Sequence, residues 1–241
     1  MSDNSQNLTH NSVLLFESHI SELMSYTRKS EEEVINLIFN CMTNRNHEWA
    51  KFSQSEYSVI DFHRLNESSM YCLTKWNCED KYQEIIRYIS SLAKIRGGLI
   101  LDFGGGIGEL AINLVNKYST TDFMEVPGNT LEYAKWRFNK RALDINIYTS
   151  LNQISKKYDT IICLDVLEVL EKPLSHLTKL YEMLKDDGLL ILSRGEAGSK
   201  AHPMNLEKNK EFLKNIDKYC DDLGLKNTRY EEKYHLIIKQ K

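Results

Sequence analysis

The feature that most constrains this chain is an alternation of short apolar runs with helical stretches, which begins after Gly97 and Gly98. Apolar runs of this length with turn residues behind them are typical of buried strands. A repeated strand–helix–strand order requires a parallel sheet with helices on both faces, so we predict a doubly wound α/β fold. The predicted strands are GLILDF, TDFMEV, INIYTS, YDTIICLDVL and LLILS, all within residues 98–193.

Helices are predicted on both sides of this region. The first 95 residues contain no proline and show helical patterning, including a capping box from Ser30 to Glu33. The segments LKNTRYEE and YHLIIKQ near the end of the chain are predicted to form an antiparallel strand pair. The longer predicted helices are Val13–Met24, Asp80–Ala93, Ile107–Tyr118, a helix from Pro173 that ends just before Gly188, and Leu206–Leu223.

The turn after the first predicted strand, in LDFGGGIGEL, has the pattern D-x-G-x-G-x-G from Asp102 to Gly108. A dinucleotide fingerprint, G-x-G-x-x-G, counted from Gly104 would require glycine where Glu109 stands. A P-loop ends in G-K-[ST], and this turn has no such ending. Asp102 and Glu109 make the turn acidic, which disfavours a pyrophosphate and suits a ligand with positive charge.

This turn resembles motif I of the class I S-adenosylmethionine-dependent methyltransferases. Three later segments resemble the same family in the same order: MEVPG, with Glu125 at the end of the second strand; YDTIICLDVLEVL, with Asp165 at the end of the fourth; and LKDDGLLILS, which leads into the fifth. The resemblance covers residues 98–193 and extends into the C-terminal part of the chain. It implies a Rossmann-like domain over residues 96–241, preceded by a helical lid and substrate region over residues 1–95.

The resemblance implies S-adenosylmethionine as the cofactor and assigns the glycine turn to it. Gly104, Gly105 and Gly106 are the predicted contacts, because the backbone there can approach the methionine part of the cofactor closely. Gly108 would let the following helix pack close to the strand.

The other cofactor roles implied by the resemblance lie at the ends of the later strands. Glu125 would accept hydrogen bonds from both ribose hydroxyls, and Val126 and Leu151 would enclose the adenine. Asp165 would face the amino group of the cofactor or only cap the turn that follows it. Asp102 would orient the loop or reach that amine through water.

Residues that act on the acceptor are harder to predict, because methyl transfer from a sulfonium needs mainly positioning and removal of a proton. Many family members have a histidine in an EHL segment after the fourth strand, whereas this chain has EVL, with Glu168 as the candidate base. In the polar segment SRGEAGSKAHP, Arg194 could hold a substrate carboxylate and His202 could act as a base. All three are also typical of solvated surface residues.

Aromatic residues of the N-terminal helices could close over a sulfonium, where rings contribute cation–π attraction and exclude water. Tyr57 and Tyr71 are the candidates for such a lid, because each has a hydroxyl group to place. Phe62 and Trp76 are expected instead to pack the helices onto the sheet.

The net charge and the lengths of the apolar runs limit the binding partners that can be expected. The net charge of −3 over 241 residues provides no basic field for nucleic acid or anionic lipid. No apolar run approaches the roughly 18 residues of a membrane span. We therefore expect a small-molecule substrate, no nucleic acid and no membrane association, and the sequence leaves a homodimer open. Five cysteines without CxxC spacing fit reduced thiols in the cytoplasm, and the scattered histidines predict no metal site.

Three classes of function remain. The favoured one is a methyltransferase that acts on oxygen, nitrogen or carbon of a small molecule. The second is an enzyme of azetidine-2-carboxylate-synthase or nicotianamine-synthase type, which consumes S-adenosylmethionine and releases methylthioadenosine. The missing EHL histidine and the tyrosines of the lid permit this reaction but do not require it. A non-catalytic binding protein is the least favoured, because the four cofactor motifs are intact.

Overall fold

The computed structural model describes residues 10–115, 119–198, 202–231 and 236–241. The strands within them are β1 (Gly98–Phe103), β2 (Ser119–Met124), β3 (Asn146–Tyr148), β4 (Tyr158–Cys163), β5 (Leu184–Ser193), β6 (Lys226–Glu231) and β7 (Leu236–Gln240). They form one sheet in the order β3-β2-β1-β4-β5-β7-β6. The pairs from β3 to β5 are parallel, and β7 is antiparallel to both of its neighbours. The predicted Rossmann-like fold and the C-terminal antiparallel pair are confirmed.

The helices of the described residues are α1 (His10–Thr27), α2 (Glu31–Phe39), α3 (Cys41–Phe52), α4 (Val59–Leu65), α5 (Ser68–Asn77), α6 (Asp80–Arg96), α7 (Glu109–Leu114), α8 (Asn129–Lys140), α9 (Pro173–Glu182), α10 (Lys210–Lys214) and α11 (Ile216–Asp222). The predicted capping box at Ser30 is present, with the Glu33 N–H donating to Ser30 Oγ and the Ser30 N–H donating to the Glu33 carboxylate. None of these helices is long and apolar enough to cross a bilayer.

Side chains of the central strands alternate between two cores, as the two-residue period of a strand requires. On one face, Ile100 of β1 and Ile162 of β4 pack with the apolar stripe of α6 and with α7. On the other face, Leu101 and Ile161 pack with α9, α10 and α11. The central strands are therefore buried on both faces, which explains their nearly continuous apolar sequences.

A third core lies among the N-terminal helices. It unites buried residues of α1, α2, α3 and α5 with Ile107 from the glycine turn and Tyr133 from α8. These helices therefore pack against the sheet domain through Ile107 of the glycine turn and Tyr133 of α8. The division into a lid over residues 1–95 and a sheet domain over residues 96–241 stays a prediction.

For two helices in the second half of the chain, the predicted length was wrong. The helix from Pro173 ends at Glu182, and β5 begins at Leu184, so Gly188 lies inside a strand. The register between β4 and β5 shifts there, and a Cβ on Gly188 would lie 2.7 Å from the Lys185 carbonyl oxygen. This is the kind of irregularity at which glycine is favoured in a strand.

The predicted helix over Leu206–Leu223 is broken, and α10 and α11 meet at Asn215. The Asn215 amide donates to the Glu211 carbonyl at 2.9 Å, a local hydrogen bond that competes with a continuous helix. The predicted helix over Ile107–Tyr118 is α7, which is shorter. Its predicted end at Tyr118 lies outside the described residues.

Candidate active site

A cavity of about 1120 Å³ opens at the carboxyl ends of β1, β2, β4 and β5. Ligands in open parallel sheets bind at this edge. The sheet side of the cavity contains the glycine turn, Glu125 and Asp165, and the helical side contains Arg45 of α3 and Trp76 of α5. The volume exceeds the roughly 300–1,000 Å³ of a pocket for one drug-sized ligand. The cavity therefore has room for a cofactor and a second molecule.

The glycine turn and Glu125 form one hydrogen-bonded unit. Oε2 of Glu125 accepts from the Gly106 N–H at 2.8 Å, and Oε1 accepts from the Val126 N–H at 2.8 Å. Gly106 has a φ of +59°, a backbone conformation that L residues rarely adopt. In this conformation its N–H donates to the Glu125 carboxylate. The sequence placed Glu125 at a strand end, and the structure joins it to the glycine turn.

Gly108 also lies in the left-handed region, with a φ of +78°. A Cβ there would lie 2.5 Å from the ring of Phe138 in α8. The close packing that glycine permits at this position is therefore with α8, whereas the prediction placed it against the strand.

Two carboxyl groups beneath the turn have raised pKa values. Burial, and then the charge of Glu125, raise the pKa of Asp102 to about 7. Burial raises the pKa of Glu125 to about 7, although the Val126 and Gly106 N–H groups favour its ionised form. Oδ2 of Asp102 is buried and has no hydrogen-bond partner among the described residues. The cavity is thus acidic beneath the turn, and a cationic ligand would be attracted there.

Glu109, the second acid that suggested a cationic ligand, is already compensated. Its carboxylate lies 3.0 Å from His19 Nε2 and 2.6 Å from Arg137 Nη2. Burial alone raises the pKa of Glu109, but the His19 hydrogen bond and the Arg137 charge outweigh it and lower the pKa to about 2. Glu109 therefore ties α1 and α8 to the turn, and its charge belongs to that network.

The remaining cofactor candidates lie at the same edge. Asp165 follows β4 with a φ of +53°, and its N–H donates to Ser193 Oγ at the end of β5 at 2.7 Å. A positive φ is uncommon outside glycine, and aspartate is one of the residues that tolerate it. Val126 and Leu151 line the cavity, and Ser150 caps the short 3-10 turn that begins at Leu151. All eight predicted cofactor residues line this one cavity.

Glu168 is a buried carboxyl group on the cavity wall. It is 5% exposed, and burial, followed by the charge of Asp165, raises its pKa to about 8. The Asn209 amide holds the backbone around it by donating to the carbonyls of Leu167, Glu168 and Leu170. The loop that carries Glu168 is therefore fixed, and the surface position considered from sequence is excluded by its burial.

His202 lies on the cavity wall among residues of the helices. Its Nδ1 lies 3.1 Å from Arg45 Nη2, and its ring lies 5.6 Å from the Trp76 ring. Arginine can only donate, so Nδ1 accepts and the proton of the neutral ring lies on Nε2. Burial, and then the Arg45 charge, lower the pKa of His202. In this arrangement Nδ1 of His202 is occupied by Arg45 and its N–H lies on Nε2; its role as a base stays a prediction.

The other three candidates on the acceptor side have different surroundings. Arg194 lines the cavity and forms an ion pair with Asp217 of α11. Tyr57 is 64% exposed and stacks on Phe52, and Tyr71 is buried in the core of the N-terminal helices. Neither tyrosine is among the described residues that line the cavity, so the structure does not bring them to the site.

The helical side of the cavity contains residues that sequence reasoning missed or assigned to packing. Phe62 packs against Trp49 and Phe52 as expected. Trp76, expected to pack, lines the cavity beneath the Arg45 guanidinium. Arg45 lies on α3, which falls within the region predicted to be helical but was not delimited as a separate helix. It stands four residues after the buried Cys41, and this helical spacing was the available signal.

Comparisons with known proteins agree with the resemblance of the sequence to class I S-adenosylmethionine-dependent methyltransferases. The model of the methyltransferase domain family matches residues 78–222. The chain therefore belongs to the methyltransferase domain family, as its sequence motifs predicted.

A curated relative is the ubiquinone biosynthesis O-methyltransferase of Rickettsia typhi, 25% identical over 159 residues, or 65% of this chain. The match spans only 59% of the length of that relative. An O-methyltransferase family protein from Burkholderia thailandensis superposes with a TM-score of 0.61 at 15% identity, over 86% of this chain and 72% of that one.

The magnesium protoporphyrin IX methyltransferase of Synechocystis PCC 6803, solved with bound S-adenosylhomocysteine, superposes with a TM-score of 0.52 at 22% identity. That superposition covers 70% of this chain and 85% of that one. At these identities, both structural likenesses establish the fold alone.

Proposed function

We propose that this chain transfers the methyl group of S-adenosylmethionine to an oxygen atom of a small-molecule acceptor. The observation that carries the proposal is one continuous cavity that contains the Gly106–Glu125 unit on one side and Glu168, Arg45 and His202 on the other. A donor seated on the glycine turn and an acceptor beneath the helices would share this cavity. Such a shared enclosure supplies the positioning on which methyl transfer depends.

The hydrogen-bonding capacity of Glu125 supports a ribose site. An ionised carboxylate offers about four lone-pair sites, and the Gly106 and Val126 N–H groups use one on each oxygen. One site on each oxygen is left for the two ribose hydroxyls. The raised pKa values of Asp102 and Glu125 support a cationic cofactor, whose sulfonium and ammonium groups would favour the ionised carboxylates.

Further cofactor contacts are proposed from the positions of the remaining residues. Val126 and Leu151 would enclose the adenine, since both line the cavity beside Glu125. Asp165 would face the amino group of the methionine part from the end of β4. Its backbone is fixed in a left-handed conformation by the hydrogen bond to Ser193, which orients the side chain.

Glu168 is our proposed general base. A base is most effective when its pKa lies near the working pH, and the pKa of Glu168 is raised to about 8. An acceptor hydroxyl next to it would lose its proton to Glu168 as the oxygen attacks the methyl carbon. The methyl–sulfur bond breaks in the same step, and its electron pair stays on sulfur to give neutral S-adenosylhomocysteine.

Oxygen as the acceptor atom is supported by the names of the curated relatives and by the character of the base. The two curated relatives are ubiquinone biosynthesis O-methyltransferases. A hydroxyl group needs a base more than an amine does, because a neutral amine is already a good nucleophile, whereas a hydroxyl becomes one only as it loses its proton. The methyltransferase family match does not favour the methylthioadenosine-releasing alternative.

Product analysis tests the proposal. The protein is incubated with methyl-labelled S-adenosylmethionine alone and with a metabolite extract, and the products are followed by mass spectrometry. We expect S-adenosylhomocysteine only in the presence of the extract, together with a labelled O-methyl product. Methylthioadenosine formed without acceptor would contradict methyl transfer, and a labelled N-methyl product would contradict the oxygen acceptor.

A further inference from the structure

Arg45 is a buried cation on the cavity wall. It is 6% exposed, and no carboxylate of the described residues lies within ion-pair distance of it. Its Nη2 donates to Nδ1 of His202 at 3.1 Å and contacts the Met42 sulfur at 3.4 Å. Its Nε is buried and has no hydrogen-bond partner within the described part of the chain. The guanidinium lies 4.8 Å from the centre of the Trp76 ring.

The charge of Arg45 persists in this environment. Burial lowers the pKa of Arg45, and the nearby Cys72, Cys41 and Glu48 offset part of that effect. An arginine nevertheless stays protonated in proteins. The Glu48 carboxylate is engaged elsewhere, since it accepts from Ser68 Oγ at 2.5 Å. A buried guanidinium with an unused donor is unfavourable unless an anion completes it.

A second unused polar group faces the same cavity. Nε2 of His63 is buried and has no hydrogen-bond partner among the described residues. Burial, and then the Arg45 charge, lower the pKa of His63 to about 4, so the ring is neutral near pH 7. Nδ1 of His202 accepts from Arg45, so this ring carries no proton on that nitrogen. The nearby Arg64 is paired with Asp61. Within the described part of the chain, this corner of the cavity therefore has a positive charge without an ion-pair partner, with imidazole groups beside it.

We propose that the methyl acceptor carries a carboxylate group and that Arg45 binds it, with His63 and His202 as neighbouring hydrogen-bonding partners. This inference rests on the proposed methyl transfer in the same cavity. A single cation matches a monoanion better than a phosphate dianion, and the planar guanidinium fork fits a carboxylate. The apolar surface of Trp76 beside the fork would accommodate the body of the acceptor. Arg194, the carboxylate ligand predicted from sequence, is instead paired with Asp217.

Binding to the cofactor-loaded protein tests this assignment. The protein is saturated with S-adenosylhomocysteine and titrated with 4-hydroxybenzoate, 3,4-dihydroxybenzoate and 3-hydroxypropionate, each beside its carboxamide. We expect at least one acid to bind at least about tenfold more tightly than its amide, because the amide lacks the charge. Equal binding of every acid and its amide, or binding by none of the acids, would overturn the proposal.

Substitutions test whether the tighter binding of the acid depends on Arg45. Arg45→Gln is expected to remove the preference for the acid while S-adenosylhomocysteine affinity is retained, and Arg45→Lys to restore part of it. Arg64→Gln, at an exposed arginine of the same cavity, is the matched control and should keep the preference. An acid preference that survives in Arg45→Gln would refute the assignment. If Arg45→Gln does not fold, an acid preference that is retained at full strength in Arg45→Lys would refute it. Failure of S-adenosylhomocysteine to bind the unaltered protein would refute the proposed function itself.

Discussion

Arg137→Met removes the cation at the centre of the buried network that ties α1 to the glycine turn. The Arg137 side chain is 1% exposed and donates to Glu109 at 2.6 Å, to Glu22 at 3.0 Å and to the Ile107 carbonyl at 2.9 Å. Without it, His19 is the remaining partner of Glu109 in this network. Removal of one partner of a buried ion pair leaves an uncompensated charge, which is strongly destabilising.

The magnitude follows from the pKa of Glu109. A fall from 4.5 to about 2 corresponds to about 3 kcal/mol of stability at pH 7, part of which belongs to His19. Because the folded-state pKa is lowered, this stabilisation is complete above pH 4.5 and is lost as the pH falls toward 2. We expect Arg137→Met to lower the free energy of unfolding by about 2–3 kcal/mol at pH 7, and by about half as much near pH 3.

Urea unfolding at the two pH values measures this difference. Lys135→Met is the control, because Lys135 forms an exposed pair with Glu132 on the same helix. An exposed pair contributes about 0–1 kcal/mol, so the control should change little at either pH. A loss for Arg137→Met no larger than that of the control, or an equal loss at both pH values, would refute the reasoning.

Three further predictions concern the cavity and the turn. Glu125→Ala should weaken S-adenosylmethionine binding at least tenfold in calorimetry, because charge-assisted hydrogen bonds of roughly 1.5–3 kcal/mol are lost. The exposed control Glu132→Ala should not weaken it, and unchanged affinity in Glu125→Ala would defeat the ribose assignment. The kcat/KM for methyl transfer should rise as the pH passes about 8, where Glu168 loses its proton. Glu168→Gln should lower kcat by roughly 10²–10⁴ and flatten that rise, and a rise that persists would exclude Glu168 as the base. Gly108→Ala should lower the free energy of unfolding by roughly 1–3 kcal/mol, through left-handed strain and a clash with an aromatic ring of α8. Gly224 has a φ of +88°, but a Cβ there would come no closer than an ordinary 3.9 Å contact with Tyr181 Oη, so a loss for Gly108→Ala no greater than for the control Gly224→Ala would argue against the clash.

The sheet and the cofactor edge of the cavity were predictable from sequence because their determinants are local. Each central strand is a short apolar run, and parallel strands end at one edge of the sheet. Glu125 and Asp165 could therefore be assigned to that edge before any contact was known. The D-x-G-x-G-x-G spacing restricted the turn further, since three of its glycines adopt left-handed conformations that other residues rarely adopt.

The acceptor side was not predictable in the same way, because it depends on how the N-terminal helices pack against one another. Tyr57 and Tyr71 have the hydroxyl groups expected of a lid, yet one is exposed and the other lies in the helical core. Arg45 has a charge that usually indicates a solvated helix face, yet the packing of α3 against α5 and the contact with His202 leave it buried. Burial of this kind depends on long-range packing, and the spacing of Arg45 from Cys41 was a local signal too weak to predict it.

The central claim is that the cavity at the glycine turn binds S-adenosylmethionine, and calorimetric titration of the unaltered protein tests it most directly. We expect saturable binding at one site per chain, with displacement of S-adenosylmethionine by S-adenosylhomocysteine. Absence of binding heat, together with a melting temperature unchanged by either compound, would contradict it.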